Sequence, residues 1–490
     1  MTKAPAIQRF PAFPYILKWL FISMLIGILS GSASAGFLFS LNWVTAYRES
    51  HRWLIAALPL AGLAIGLLYY YFGKTVEAGN NLLLTTIQEP QERIPLRMAP
   101  FVYLGTLATH LFGGSAGREG TALQMAGALA DQLSRPLRLD ANERRVLLMA
   151  AIAGGFGSVF GTPLAGAVFA LEVVVLGRIR YQALFPAFAT AIIADLVCRL
   201  WHAEHTHFAI PSVPGITALN IVYALLAGIA FGITAAAFSK GLHHGSKLFK
   251  SNLKFPPLRP LAGGIIIVLA VWSFDTTKYI GLGIPTLVAA FNVPLPVYDF
   301  ALKMLFTIVT LSAGFKGGEV TPLFFIGATL GNALSNILPL PTALLSGMGF
   351  VAVFAGATNT PLACTLMAIE LFGSDCGVYV AIACVVAYLL SGHSSIYSQQ
   401  LIGEAKHQHL SADKATACPN SEGCQPLAIN QQLYMLPIML IRLRFLFVKI
   451  VFHIPLIFAV SADNKKDKRD HQNDQNSNNS DIQVHKRVWI

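Results

Sequence analysis

The sequence predicts an all-α polytopic membrane protein made of two related halves whose helices are repeatedly broken. Three observations carry that prediction: a shortage of charge, the lengths of the apolar runs, and an internal repeat. Of 490 residues, 54% are hydrophobic and only 12% are charged, with a mean hydropathy of +0.59. Soluble domains carry about 25% charged residues, so a soluble surface could not be covered here. Eleven of the 59 Asp, Glu, Lys and Arg residues lie after Ala462, which leaves 48 for the first 462 positions. The same arithmetic excludes a set of soluble domains, a secreted disulfide scaffold and a disordered chain. A net charge of +11 would suit nucleic acid in a soluble protein. In so apolar a chain it marks cytoplasmic loops instead, and no nucleic-acid partner is expected.

In chain order, the first apolar run covers about 15–44. Ser32 to Ala35 has the small residues of a signal-peptidase site, but the run is too long for a signal core and continues past it, so a retained helix is predicted. A second run covers 53–72. The later segments are shorter: roughly 98–112, 120–130, 146–157, 162–176, 320–338, 343–356, 361–373 and 377–391. A straight bilayer span needs about 20 apolar residues. All but one of these have 15 or fewer, and the longest is interrupted by Gly327 and Gly331. Broken helices are tolerated in a bilayer only where the freed backbone is buried in protein or lines a cavity, which points to a transport pathway.

Charge placement sets the topology. Arg178 and Arg180 precede the run at 183–200, and Lys240, Lys247, Lys250, Lys254 and Arg259 follow the span at 218–238. Both basic stretches are predicted cytoplasmic, and the loop 201–207, without Lys or Arg, lies outside. Its three histidines and Glu204 have nothing to fix a convergent metal geometry, so a solvated loop is predicted. Cys198, Cys364, Cys376 and Cys384 sit in or beside apolar runs as small buried thiols. Cys418 and Cys424 lack the short paired spacing of a zinc site. No metal or cofactor is expected.

The repeat organises the rest. Residues 117–128 match 317–328 at six of twelve positions, and 161–172 match 359–370 at six of twelve. The offsets, 200 and 198, are nearly equal, so the halves are roughly 50–210 and 215–400. Paired halves with interrupted helices at corresponding places are the best sequence pointer to a transport site near the midplane.

Each half sets a glycine pair and a carboxylate before a short apolar helix: Gly113 and Gly114 through Glu119, and Gly314 through Glu319. Glycine permits an irregular approach, and a helix start offers unpaired N–H donors and partial positive charge to an anion. Gly117, Arg118 and Gly120, with Gly318, Val320 and Thr321, are the candidate anion-binding positions. Asn80 or Asn81 either caps the next short helix or offers an amide to the ligand. Tyr397 either points a phenol into the site or anchors at the interface. Glu119 and Glu319 are the candidates for gating and proton coupling, because ionisable groups at membrane depth are functional hypotheses by default. Each would occupy the anion site when charged and leave it when protonated. The alternative is a plain N-terminal charge. Glu172 and Glu370 are expected to face water or cap polar contacts.

Gly-Arg-Glu-Gly at 117–120, Gly-Gly-Glu-Val-Thr-Pro at 317–322, the two Thr-Pro-Leu-Ala segments and Tyr397 resemble the CLC family of chloride channels and anion/proton exchangers, over about residues 15–405. The resemblance implies inverted-topology halves meeting at a midplane anion site, a homodimer with one pore per subunit, and no enzyme activity. It also makes Glu119 the gating glutamate and Tyr397 the central tyrosine. Four departures are informative. Chloride transporters of the family usually carry Gly-Ser-Gly-Ile-Pro where Gly79-Asn80-Asn81-Leu82-Leu83 stands, and proline at Thr121. They have a hydrophobic pair in the motif that holds Glu319-Val320-Thr321 here, and their exchangers carry an inner glutamate at Val173. All four resemble the fluoride-selective branch, in which the glutamate and threonine at Glu319 and Thr321 are implicated in transport. Fluoride is strongly hydrated, so its site must replace water with close donors, and amide, hydroxyl, phenol and helix-end N–H groups are such donors.

The expectation is a fluoride/proton antiporter of a bacterial inner membrane, with a chloride/proton exchanger or a passive chloride channel as alternatives. Its partners would be a small anion, protons and the lipid bilayer. Residues 1–405 form the expected transport domain. Residues 406–490 form a poorly matching tail, apolar but interrupted at 433–460 and then polar and disordered.

Overall fold

The predicted first run becomes one 38-residue helix, α1 (Phe13–Ser50), which passes straight through Ser32 and Ala35. The structure is a computed structural model and describes residues 13–90 and 92–406. The expectations for Cys418, Cys424 and the tail from residue 407 fall outside the described residues.

After α1 come α2 (Leu58–Phe72), α3 (Asn80–Gln88), α4 (Met98–Leu111), α5 (Glu119–Asp131), α6 (Ala141–Phe160), α7 (Pro163–Glu172) and α8 (Leu184–Leu200). The succession then recurs as α9 (Ala218–Asn252), α10 (Leu258–Phe274), α11 (Ile284–Asn292), α12 (Asp299–Ser312), α13 (Val320–Leu334), α14 (Thr342–Thr358), α15 (Pro361–Phe372) and α16 (Gly377–Leu390). Lengths correspond down the series: 38 and 35 residues for α1 and α9, nine and nine for α3 and α11, fourteen and fourteen for α4 and α12. The structural repeat therefore takes in α1, ahead of the sequence matches. The run at 146–157 is only part of α6, because Asp140 and Glu143 form a reciprocal capping box that adds a polar first turn.

The two halves run in opposite directions. Glu370, near the end of α15, accepts the N–H groups of Leu164 and Ala165 at 2.9 and 2.8 Å, in the first turn of α7. Glu172, at the end of α7, accepts those of Leu362 and Ala363 at 3.2 and 3.0 Å, in the first turn of α15. Only antiparallel helices can exchange end and start in this way. Both glutamates are caps, as one expectation had it, and each caps the opposite half. A second correspondence lies at the ends of α5 and α13: Asp131 accepts from the backbone of Ile94, and Asn332 from that of Leu295.

Helices α5, α6, α13 and α14 are buried along nearly their whole length. Small residues allow it: a Cβ on Gly327 would stand 1.9 Å from the carbonyl oxygen of Gly349, and one on Gly349 would stand 2.0 Å from that of Gly327. Around this quartet, α1, α9 and α10 turn Phe21, Ile28, Leu226, Ile265 and Leu269 outward, as lipid contact requires. Four stretches among the described residues are long and apolar enough to cross a membrane: Phe13–Ser50, Arg52–Phe72, Tyr181–Leu200 and Ala218–Asn252. The short α5 and α13 pack inside, where their freed ends meet protein.

Candidate functional site

The starts of α5 and α13 are fastened to each other. Gly117 N–H donates to Gly318 O at 2.6 Å, and Gly318 N–H donates to Gly117 O at 2.8 Å, an isolated antiparallel bridge. No side chain fits there: a Cβ on Gly318 would lie 2.7 Å from Gly120 N, and one on Gly317 would lie 2.5 Å from the Ala116 Cβ. These two glycines therefore act as a clasp. Their N–H groups are spent on each other, which removes them as direct ligands, contrary to the expectation from sequence.

Glu119 is fully buried and its carboxylate lies at the start of the opposite half. Oε2 accepts from the backbone N–H of Thr321 and of Arg118, both at 3.1 Å, and Oε1 accepts from the Thr321 hydroxyl. A negative charge is thus seated on the N-terminus of α13, with N–H and O–H donors converging on it. Glu319, its repeat counterpart, is held differently: its Oε2 is buried without a hydrogen-bond partner. Thr121, the counterpart of Thr321, has its hydroxyl 2.7 Å from that of Thr106, and it makes no bond to Glu319 that mirrors the Thr321–Glu119 pair.

The remaining candidates divide. Asn80 opens α3, yet no side chain caps that helix. Its Oδ1 is buried and unpartnered, and its Nδ2 would touch a Cβ placed on Gly120, at 2.8 Å. The capping alternative therefore does not apply to Asn80. Asn81 points elsewhere: its Oδ1 accepts from Gln399 N–H at 3.2 Å, which makes it a brace for the segment that carries Tyr397. Val320 is buried in the first turn of α13. Tyr397 is buried and lines a small cavity with Asn80, Leu83, Leu123, Phe169 and Val173, within electrostatic range of both Glu119 and Glu319. Arg118 meets Glu119 with its backbone N–H and with its guanidinium, whose Nε lies 3.9 Å from Oε1, and its side chain also lines an outer cavity of about 700 Å³ with Arg48, Glu49, Glu204 and His205. The histidine loop thus forms part of a vestibule above the carboxylate.

Sequence reasoning missed Gln400. Its Nε2 donates to Val173 O at 3.0 Å and Thr358 O at 2.8 Å, and its Oε1 accepts from Asn359 Nδ2 at 2.9 Å. Together with Ile396 N–H on Ala357 O and a short parallel pairing of Val175–Leu176 with Leu401–Ile402, it returns the chain beneath the site. A glutamine among Ser, Tyr and Gln gives no periodic signal for such a clamp. Also missed were Arg48, His110 and Lys303, three basic residues buried in the core. A lysine inside the apolar stretch after Asp299 was the available clue.

Comparison with known proteins agrees with this geometry. A family profile described as "Voltage gated chloride channel" matches residues 61–392. A chloride/fluoride channel protein of Pseudomonas syringae pv. tomato is 52% identical over 413 residues, 83% of this chain and 91% of the relative. An H(+)/Cl(-) exchange transporter of Cronobacter sakazakii is 26% identical over 421 residues, 78% of this chain and 89% of the relative. Among solved structures, a CLC-type fluoride/proton antiporter superposes with a TM-score of 0.77 at 36% identity, covering 79% of this chain and 98% of that one. A slow cyanobacterial Cl−/H+ antiporter, at 20% identity and a TM-score of 0.69, shares the fold. With the two inverted halves, the clasped helix starts and these matches in hand, the chain belongs to the CLC family, as a helical membrane protein that transports anions.

Proposed function

We propose that this protein is an antiporter that exports fluoride in exchange for protons, with Glu119 as the group that exchanges places with the anion. One observation carries the reading: the Glu119 carboxylate already accepts three hydrogen bonds, two of them from Thr321 at the start of α13. A carboxylate oxygen there stands in for the transported ion. Protonation removes its charge and weakens those charge-assisted bonds, so the side chain leaves and the donors are free for an anion. Thr321 then offers N–H and O–H, Arg118 its backbone N–H, and Asn80 an amide from the other side. Tyr397 adds a phenol near both carboxylates. Proton transfer and anion transfer use one place in turn, which couples them, and no covalent chemistry is called for.

Fluoride is favoured over chloride by the 52% identical chloride/fluoride channel protein and the 36% identical fluoride/proton antiporter, and by the departures at Asn80, Thr121, Glu319 and Val173. Glu172 does not replace the inner glutamate of chloride exchangers, because it is occupied in capping α15. The bacterial relatives support a bacterial plasma (inner) membrane, and the family resemblance supports a homodimer with a pathway in each subunit.

The test is ion efflux from liposomes that contain the purified protein. Fluoride efflux should accelerate when the bath is made more acidic than the lumen, and chloride efflux under the same gradient should be much slower. Equal rates for the two ions would contradict the selectivity. Fluoride efflux indifferent to the proton gradient would make the protein a channel.

A further inference from the structure

Three basic side chains are buried together behind the loop that bears Glu119. Lys303 on α12 and His110 on α4 are fully shielded, and Arg48 near the end of α1 is 6% exposed. An ionisable group at membrane depth is costly, and the ordinary compensation is a carboxylate partner. Lys303 has none within ion-pairing distance among the described residues. The one acid of α12, Asp299, is taken by Lys278 and by the Tyr279 hydroxyl. The Lys303 ammonium instead donates to Tyr279 O at 3.1 Å and Gly281 O at 2.7 Å, and lies 5.3 Å from the centre of the Phe325 ring. Arg48 donates to His110 O at 2.9 Å, and its only carboxylate, Glu49 at 3.4 Å, is 61% exposed to the vestibule side. His110 brings Nε2 to 3.4 Å from Gly117 O, within electrostatic range of Arg48, Lys303 and Arg118.

This charge is tied to the site by short connections. Gly281, which accepts from Lys303, donates its own N–H to Gly114 O at 3.0 Å. Thr307, one turn beyond Lys303, shares a hydroxyl contact with Ser115 at 2.9 Å, and Thr310 accepts from Ser115 N–H at 3.1 Å. Phe325, on the other side of the ammonium, is one turn along α13 from Thr321. Lys303 therefore stands between the loop that carries Glu119 and the helix start that receives its carboxylate.

We propose that Lys303, supported by Arg48, supplies the fixed positive charge that holds the transported anion at the two helix starts, acting from behind the neutral donors without touching the ion. With the gate seated, the negative charge at the helix starts is that of Glu119, which also lies 3.9 Å from the Arg118 guanidinium. When Glu119 takes a proton and withdraws, the incoming anion becomes the counter-charge, so the buried cation is never left alone. Lys303 is thus a positioning residue for charge, and the inference rests on the two-helix site described above.

The experiment is calorimetric titration of the purified full-length protein with sodium fluoride and with sodium chloride, in a Glu119→Gln background that vacates the site. Adding Lys303→Met should weaken binding of both anions at least about tenfold, the scale of one unit charge acting through a protein interior, whereas Lys303→Arg should stay within about threefold of the background. Lys303→Gln, which keeps a donor for the carbonyls and removes the charge, should behave like Lys303→Met and replaces it if that variant does not fold. Unchanged affinity in the neutral variants overturns the proposal. Equal losses for Met, Gln and Arg also overturn it, because they assign the effect to the carbonyl contacts. If Glu119→Gln alone binds neither anion, the two-helix site itself is wrong, and that result is distinguishable from either of the others.

Discussion

Glu119 and Glu319 occupy matched positions 200 residues apart, yet their surroundings separate their roles. Glu119 is bonded by the Thr321 hydroxyl, whereas the corresponding threonine in the first half, Thr121, bonds Thr106. Replacing Glu119 by Gln keeps the shape and removes the titrating charge, so fluoride should still pass while proton movement stops, as a pH electrode beside a fluoride electrode will record. Proton coupling that survives would deny Glu119 the role. Thr321→Val removes one charge-assisted bond and retains the backbone N–H, an effect of about 1.5–3 kcal/mol on the seated charge, so fluoride turnover should fall by at least tenfold. Thr321→Ser should restore most of it. If Val and Ser behave alike, the hydroxyl is not a ligand. For Glu319, whose Oε2 is buried without a partner, full activity of Glu319→Ala would reduce the carboxylate to a passive charge.

At the scale of elements, inversion of the halves is held by the reciprocal caps of α7 and α15. Glu172→Gln leaves one of two N–H groups poorly satisfied at a partly buried helix start, and the same holds for Glu370→Gln. Each should destabilise the protein by about 1–3 kcal/mol, read as a lower unfolding temperature in detergent, and the double variant should be close to additive because the two ends are separate. No shift in either single variant would show the caps to be dispensable. These contacts mark the boundary of what the sequence made legible. The repeat was readable because Glu119 and Glu319, and the two Thr-Pro-Leu-Ala segments, kept their identities at nearly constant spacing. The partners of Glu172 and Glu370 were not, since they lie about 190 and 206 positions away and depend on antiparallel packing that no local pattern encodes. Helices α11 and α12 are not marked by apolar runs of their own: α11 has only nine residues, and Asp299 and Lys303 interrupt the run of α12.

For the molecule as a whole, scarcity of charge has a direct structural counterpart. Apolar side chains face outward on α1, α9 and α10, broken helices fill the interior, and both repeat-matched glutamates, Glu119 and Glu319, stand where α5 and α13 meet. Neutral donors and the Arg118 guanidinium meet the Glu119 carboxylate, and Arg48, His110 and Lys303 are buried nearby. On the proposed function, such a site exchanges a proton-carrying carboxylate for an anion. The most direct measurement is uphill proton movement. Liposomes containing the protein are loaded with fluoride, set more acidic inside than the bath, and held at zero membrane potential with potassium and its ionophore. As fluoride leaves down its gradient, protons should enter against theirs and the lumen should acidify further. Fluoride loss with no proton entry, or with protons flowing outward, would contradict coupled exchange.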